Sequence, residues 1–341
     1  MSLLPFIDRI VSRDNLSAAD AENAMRTILA GEASHPQIAA FLVALRMKGE
    51  TAGELAGFAR AMRAMAVPVD PQLDGAPLID TCGTGGDRSD TFNISTVAAF
   101  VVAGAGVHVA KHGNRSISSK CGSADLLDSM GIRIAIAPAD SARAIREIGI
   151  GFLFAPAVHT AMRHAQPVRV DLKLRTVFNL LGPLTNPAGA SAQLVGAPSE
   201  HAAELMAEAL ATLGLRRGFV VHGSDGLDEI TTTGPTLAFE IREGKVERRT
   251  LEPEDFGVHP ATPADLKGGD PARNLEIANA VLAGQRGPHR DIVIANAAAA
   301  LVAAGQVEVF LEGAALAAVS IDTGAAKSKA EALARFTAEL L

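Results

Sequence analysis

The sequence predicts an α/β protein of two domains: a small all-helical domain, and a large α/β domain built on a mainly parallel central sheet. Three observations carry this. At 341 residues the chain can bury a large core and form two domains. Up to about residue 70, apolar residues such as Ile38, Phe41, Leu42 and Leu45 recur at helical spacing. Beyond Pro68 and Pro71, which mark a linker, strand-length apolar runs alternate with helical ones, the pattern of a parallel sheet.

In chain order, Ser17 opens a helix with Asp20 in its first turn, and Ser34 with Gln37 and Thr51 with Glu54 have capping-box spacing. Pro77-Leu78-Ile79 reads as a short buried strand broken by the glycines that follow. Ser95 precedes Val97–Gly104, an apolar run ending in glycine as a buried helix does. Val107–Ala110 is a second strand, with a loop leaving its end at Lys111. Ala124–Met130 and Ala139–Ile148 read as helices and Gly151–Phe154 as a strand. His159 and His164 are expected on a helix running to Gln166-Pro167, with Arg169 in the loop beyond. Arg175–Leu181 should be a helix stopped at Gly182-Pro183, after which the sheet resumes near Gln193. Glu200–Leu213 is a helix, Gly218–His222 a strand, and Leu237–Arg242 with Val246–Thr250 a hairpin turning at Glu243-Gly244. From Asn274 to Leu341 the chain is helical and alanine-rich. No chemistry is expected there, and Asn296 in its apolar run reads as a satisfied core amide.

The chemistry concentrates between Ile79 and Ser123. Ligands of such sheets sit outside the carboxyl ends of the strands, where the polar loops fall. Gly83-Thr84-Gly85-Gly86-Asp87 allows backbone N–H groups to approach an anion without a Cβ in the way. Asn93-Ile94-Ser95-Thr96 lies at a helix start, which favours phosphate. Lys111 and Arg115 supply cations, Asn114 an amide, and Ser116, Ser118 and Ser119 hydroxyls. Together they describe a cradle for a substrate bearing several phosphates. The spacing is neither a P-loop nor a dinucleotide loop, since Arg88 stands where a third glycine would be needed. The glycines alone would read as a tight turn; three loops in register are the stronger signal. Further on, Asp228 and Glu229 share a glycine-bearing loop at a strand end, which suits magnesium, although alone it would be a solvated acidic turn.

Asp80-Thr81-Cys82-Gly83-Thr84-Gly85-Gly86-Asp87, Asn93–Thr96 and Lys111-His112-Gly113-Asn114-Arg115-Ser116 resemble the signature loops of anthranilate phosphoribosyltransferases, enzymes of tryptophan biosynthesis. The resemblance continues through Pro167-Val168-Arg169, Arg175–Pro187 and Gly226–Ile230 and spans nearly the whole chain. It implies a nucleoside phosphorylase/phosphoribosyltransferase-like two-domain fold. The helical domain would be residues 1–72 with a return segment at about 172–190, and the α/β domain 73–171 and 191–341. It implies transfer of the phosphoribosyl group of phosphoribosyl pyrophosphate to the amine of anthranilate, with Mg2+, in a cytoplasmic homodimer.

By that resemblance, Gly83, Gly86, Asp87, Thr91, Asn93, Ile94, Ser95, Thr96, Lys111, His112, Gly113, Asn114, Arg115, Ser116, Ile117, Ser118, Ser119 and Ser123 bind phosphoribosyl pyrophosphate. Gly83, Asn114, His159 and Arg169 hold anthranilate, Arg169 as a fork for its carboxylate. Ser95, Asp228 and Glu229 hold the metal, and His112, Asn114 and Arg169 are the catalytic set, His112 as acceptor of the released proton. Thr160 departs from the family's proline after this histidine, which bears on the anthranilate entrance. A pyrimidine nucleoside phosphorylase and a non-catalytic nucleic-acid-binding relative are the rival readings. The former lacks this basic loop, and the latter should carry excess positive charge.

Composition narrows the classes. Hydrophobic residues are 48% and charged residues 20%, as in an ordinary globular protein, and the net charge of −7 argues against general affinity for nucleic acid. Two cysteines, Cys82 and Cys121, make no disulfide framework and fit a reducing cytosol as small buried residues. Neither a signal peptide nor a membrane span is expected from the apolar runs. With no Trp and no Tyr, a ligand ring would rest on aliphatic groups, backbone and histidines.

Overall fold

The computed structural model describes residues 2–87, 89–116 and 120–340. Four helices come first: α1 (Leu4–Val11), α2 (Ala18–Leu29), α3 (His35–Lys48) and α4 (Ala52–Ala64). Their starts follow from side chains that take up N–H groups no helical carbonyl reaches. Ser17 accepts from the Asp20 N–H, and Gln37 reaches back to the Ser34 N–H at 3.4 Å. Thr51 and Glu54 close a reciprocal box at 2.9 and 3.3 Å. Phe41, Leu45 and Phe58 are fully buried between these helices.

The rest of the chain alternates. In order come β1 (Leu78–Gly83), α5 (Ile94–Gly104), β2 (His108–Gly113), α6 (Ser123–Ser129), α7 (Pro138–Ile148) and β3 (Ile150–Phe154). Then follow α8 (Ala155–Val158), α9 (Gln166–Leu172), α10 (Phe178–Leu184), β4 (Ala192–Gly196), α11 (Glu200–Thr212), β5 (Arg217–Gly223), β6 (Thr236–Arg242) and β7 (Lys245–Leu251). Four helices complete the described chain: α12 (Pro271–Leu282), α13 (Pro288–Ala303), α14 (Phe310–Asp322) and α15 (Ala325–Ala338). The sheet runs β3-β2-β1-β4-β5-β6-β7, parallel through β5 and antiparallel at β6 and β7. Glu243 and Gly244, both at positive φ, make the expected hairpin turn. Strands covered on both faces read as continuous apolar runs rather than alternating ones, as the sequence does here.

Two cores result. One lies where α5 and α13 cover the sheet, and both helices are apolar almost all round. The other is shared between α1–α4, α9 and α10, the helix α11, and Val195, Val220 and Phe239 on the opposite sheet face. The return segment packs with the N-terminal helices: α9 on α3, and α10 on α4.

Four local expectations change. β1 and β2 do not end at Ile79 and Ala110 but run on through Asp80–Gly83 and Lys111–Gly113. Their polar side chains are buried with internal partners, so polarity does not mark the strand end. Arg169 is not in a loop but on α9, because Pro167 opens a helix rather than closing one; its missing N–H costs nothing in a first turn. His159 stands between α8 and a 3-10 turn, Thr160–His164, not inside a helix. Pro183 lies within α10 instead of stopping it, near the end of a seven-residue helix where one bond is lost, and its carbonyl accepts from Gln193 Nε2 at 2.9 Å.

Candidate active site

The strand order changes direction between β1 and β4, the place where an open α/β sheet leaves a crevice at its carboxyl edge. Gly83 and Gly196 end these two strands side by side. A Cβ on Gly196 would fall 1.5 Å from the Asp228 carbonyl oxygen, and one on Gly83 2.5 Å from Asp228 Oδ2. The two glycines therefore open the slot through which the loop after β5 brings Asp228 and Glu229 into the crevice.

There the predicted loops meet. Asp228 Oδ2 accepts from the Gly85 N–H at 2.7 Å and from Thr84 Oγ1 at 3.4 Å. Glu229 Oε1 accepts from the Ser95 N–H, in the first turn of α5, at 3.1 Å. Thr81 Oγ1 donates to the Ser95 carbonyl at 3.0 Å. Lys111 Nζ donates to the Thr81 carbonyl at 2.6 Å and reaches Ser95 Oγ at 3.5 Å. Lys111 is thus a buried strut under the cradle, not a loop cation, and burial pulls its pKa down against the pull of Asp80, Cys82 and Glu229.

Asp87, Asp228 and Glu229 crowd together. Burial, then the Asp87 charge, then Glu229 push Asp228 well above the usual carboxylate range. Burial takes Glu229 to about 7, with Lys111 and the Ser95 donors opposing. Hard oxygen donors that repel one another in a buried crevice are suited to a divalent cation. Among the described residues no three His, Cys, Asp or Glu side chains close around a single ion. A magnesium ion here would complete its shell with water and ligand oxygens, as that ion ordinarily does. Asp225, the third acid of this loop, is committed to Thr231 Oγ1 at 2.7 Å, Thr233 Oγ1 at 2.6 Å and the Leu227 N–H.

The flanking residues are held from several sides. Thr91 bridges to Lys267, Ile94 and Thr96 begin α5, and Asn93 donates to the Cys121 carbonyl at 3.1 Å. Burial lifts the Cys121 thiol to about 11. A Cβ on Gly113 would fall 2.4 Å from Ser123 Oγ, which donates to the Asn114 carbonyl at 3.2 Å. Asn114 Oδ1 accepts from the Arg115 N–H. Arg115 is turned towards α6 and pairs with Asp125 at 2.8 Å and Asp128 at 2.6 Å, while the Ser116 N–H also meets Asp125. Gly86, at positive φ, completes the glycine turn. Ile117, Ser118 and Ser119 lie outside the described residues.

A second group forms where the return segment meets β2. The rings of His112 and His159 lie edge to face with centroids 5.0 Å apart. His112 Nδ1 faces the Gly182 carbonyl at 3.2 Å, so that nitrogen carries the proton. Among the described residues the Nε2 atoms of both rings, which are buried, have no partner. Burial, with the neighbouring His159 charge, lowers His112 to about 3, and burial lowers His159 to about 4. Both are neutral near pH 7. Arg169 lies over the Phe178 ring at 5.2 Å, on the same helix that carries Gly182, and its other contact is Gln166 Oε1 at 3.4 Å. Thr160 is exposed at the rim.

Several supports were not assigned to the site by the sequence reading. Asp80 is fully buried; it accepts from the His112 N–H at 3.1 Å and from Asn186 Nδ2 at 2.8 Å, tying β1, β2 and the return segment together. Arg175 donates to the carbonyls of Gly85 and Gly86, both at 2.9 Å. Asn274 on α12 donates to Asn93 Oδ1 at 3.0 Å, and Asn296 on α13 holds Ile230. Polar residues inside apolar runs were the available signal for the two asparagines. Nothing local marks Gly196.

Helical bundle and α/β sheet together are those of a glycosyltransferase. The family described as "Glycosyl transferase family, a/b domain" matches residues 75–327, and "Glycosyl transferase family, helical bundle domain" matches residues 4–66. A Solibacter usitatus protein named anthranilate phosphoribosyltransferase is 76% identical over 338 residues, with 99% of each chain covered. One of that name from Moorella thermoacetica is 54% identical, with 96% of each covered. The crystal structure of anthranilate phosphoribosyltransferase from Thermus thermophilus superposes with a TM-score of 0.92 at 44% identity, covering 97% of this chain and 99% of that one. The Saccharomyces cerevisiae enzyme in complex with phosphoribosyl pyrophosphate and Mg gives 0.90 at 28% identity, covering 99% and 98%. The chain belongs to the anthranilate phosphoribosyltransferase family.

Proposed function

We propose that this protein transfers the phosphoribosyl group of 5-phosphoribosyl 1-pyrophosphate to the amine of anthranilate, giving N-(5-phosphoribosyl)anthranilate and pyrophosphate, in tryptophan biosynthesis. One observation carries the reading: the glycine turn, the start of α5 and the Asp228–Glu229 loop meet at the switch point of the sheet, joined by hydrogen bonds to one another.

The difficult step is departure of a highly charged pyrophosphate from a sugar carbon that becomes cationic. Gly83, Gly86, Asn93, Ser95 and Thr96 would line the phosphates, and groups already held in fixed positions need no reorganisation as charge develops. Asp228, Glu229 and Ser95 would hold magnesium, which when bound supplies charge neutralisation on the leaving group. Arg169, free of any carboxylate among the described residues, would take the carboxylate of anthranilate, with Asn114, His112 and His159 beside the ring. An aromatic amine is unprotonated at neutral pH, so positioning supplies most of the acceleration. His112 accepts a hydrogen bond from the amine at Nε2. At a pKa of about 3 it is a poor store for the released proton, which passes to pyrophosphate or solvent.

The division at residues 1–72 with return segment 172–190, a cytoplasmic location and a homodimer belong to the same proposal. Two buried thiols favour a reducing compartment, and no described helix is long and apolar enough to cross a membrane. Leu4, Val11, Met47 and Val170 are each more than half exposed, on helices α1, α3 and α9 that pack in a row; a second copy of the chain would cover them. The test of the activity is the loss of anthranilate fluorescence on adding phosphoribosyl pyrophosphate. Loss that requires magnesium is expected; phosphorolysis of thymidine without that loss would replace the proposal with the nucleoside phosphorylase reading.

A further inference from the structure

The loop that carries Asp228 and Glu229 is neither strand nor helix, so its main chain has no ladder to hold it. Asp225 and Thr236 fix its two ends, through the Leu227 and Thr231 N–H groups. Between those points, one side chain grips the backbone. Asn296 Oδ1 accepts from the Ile230 N–H at 3.0 Å, and its Nδ2 donates to the Ile230 carbonyl at 2.9 Å. The second Nδ2 hydrogen goes to the Ile292 carbonyl, one turn back on α13, at 2.9 Å. Among the described residues no other hydrogen bond reaches the main chain of Asp228, Glu229 or Ile230.

Asn296 is fully buried, in a stretch of α13 made otherwise of alanine, valine, leucine and isoleucine. An apolar residue would suit the helix better, because a buried amide is tolerated only when its hydrogen bonds are made. Here each of them is made, and two serve the single residue that follows Glu229. A carboxylate in its place would accept but not donate, and would face two carbonyl oxygens.

We infer that Asn296 is a positioning residue: it acts through Ile230 to set the height and direction of the Glu229 and Asp228 carboxylates, and hence the affinity for a divalent cation carrying pyrophosphate. The inference deepens the proposed function and rests on its metal assignment. Outer partners that orient metal-binding side chains commonly control affinity by roughly 10- to 100-fold.

The test uses the full chain, with Mn2+ and inorganic pyrophosphate as the probe. Free Mn2+ is read by paramagnetic resonance, and the Mg2+ dependence of turnover is measured alongside. Asn296→Asp and Asn296→Ser should each weaken Mn2+–pyrophosphate binding and raise the Mg2+ needed for half-maximal turnover by roughly 10- to 100-fold, with the Michaelis constant for anthranilate unchanged. If Asn296→Asp does not fold, Asn296→Ser carries the test. Ser320→Ala is the control: it removes a buried hydrogen bond to the Val101 carbonyl, at the far end of α5, and should leave binding as it was. Unchanged binding in a folded Asn296 variant overturns the inference, as does an equal loss in Ser320→Ala, which would mean that destabilisation alone is responsible. If the unaltered protein fails to bind Mn2+ with pyrophosphate, the metal assignment itself falls and the inference falls with it.

Discussion

The two halves of the crevice are built differently. On the phosphate side the groups are bonded to one another: Asp228 to Gly85, Glu229 to Ser95, Lys111 to Thr81. On the proposed acceptor side two ring nitrogens, Nε2 of His112 and of His159, have no partner among the described residues, and the Arg169 guanidinium lies over a phenyl ring with a single long bond to Gln166. The first half is assembled from main chain at the edge of a sheet. The second is assembled from side chains where the return segment folds over β2. The difference teaches where each kind of binding energy resides. The proposed phosphate half is bonded internally without ligand, whereas the proposed acceptor half keeps ring nitrogens that meet no partner among the described residues.

The contrast can be broken most sharply at the acids. Asp228→Asn with Glu229→Gln should lower magnesium-dependent turnover by roughly 10²- to 10³-fold, with an unchanged circular dichroism spectrum. The same change should raise the melting temperature of the metal-free protein, because it removes the cost of burying two ionisable carboxyls beside Asp87. Normal turnover at limiting magnesium would remove the phosphate half of the proposal.

Gly196→Ala attacks the slot rather than the acids. With a Cβ 1.5 Å from the Asp228 carbonyl, the loop must move; we expect a loss of about 3 kcal/mol in urea unfolding, together with lost activity. Arg169→Ala tests the acceptor half alone. It should raise the Michaelis constant for anthranilate about tenfold while sparing that for phosphoribosyl pyrophosphate; the reverse pattern would swap the two subsites.

The smallest effect is in pH. His112 and His159 titrate at about 3 and about 4 when folded, below the ordinary histidine value near 6.5. A lowered histidine contributes stability above its unfolded pKa and loses it as the pH falls towards the folded one. Stability should therefore drop from about pH 6.5 towards pH 4, by about 1 kcal/mol per pH unit for each ring. His112→Gln should reduce that slope in urea titrations at pH 6 and 5.

The phosphate half was legible in the sequence because glycine turns, helix starts and adjacent acids are local features. Strand ends placed them on one edge of the sheet before any coordinates. The acceptor half was less legible because its signals are ambiguous over short distances. Pro167 reads equally as the end of one helix or the start of another, and Arg169 was misplaced for that reason. Lys111 looked like a loop cation, because a buried lysine cannot be told from an exposed one without knowing that the Thr81 carbonyl lies beside it. Asn296 was recognised as a satisfied amide, yet its partner is 66 residues away in sequence and could not be named. Gly196 and Arg175 act through contacts with distant segments, which no local pattern records.

The return of the chain between α9 and α10 bears on attempts to cut the molecule apart. A fragment ending at the linker near Pro71 would leave bare the faces of α3 and α4 that α9, α10 and α11 cover. Excision or transplantation of the first four helices should therefore carry α9 and α10 along with them.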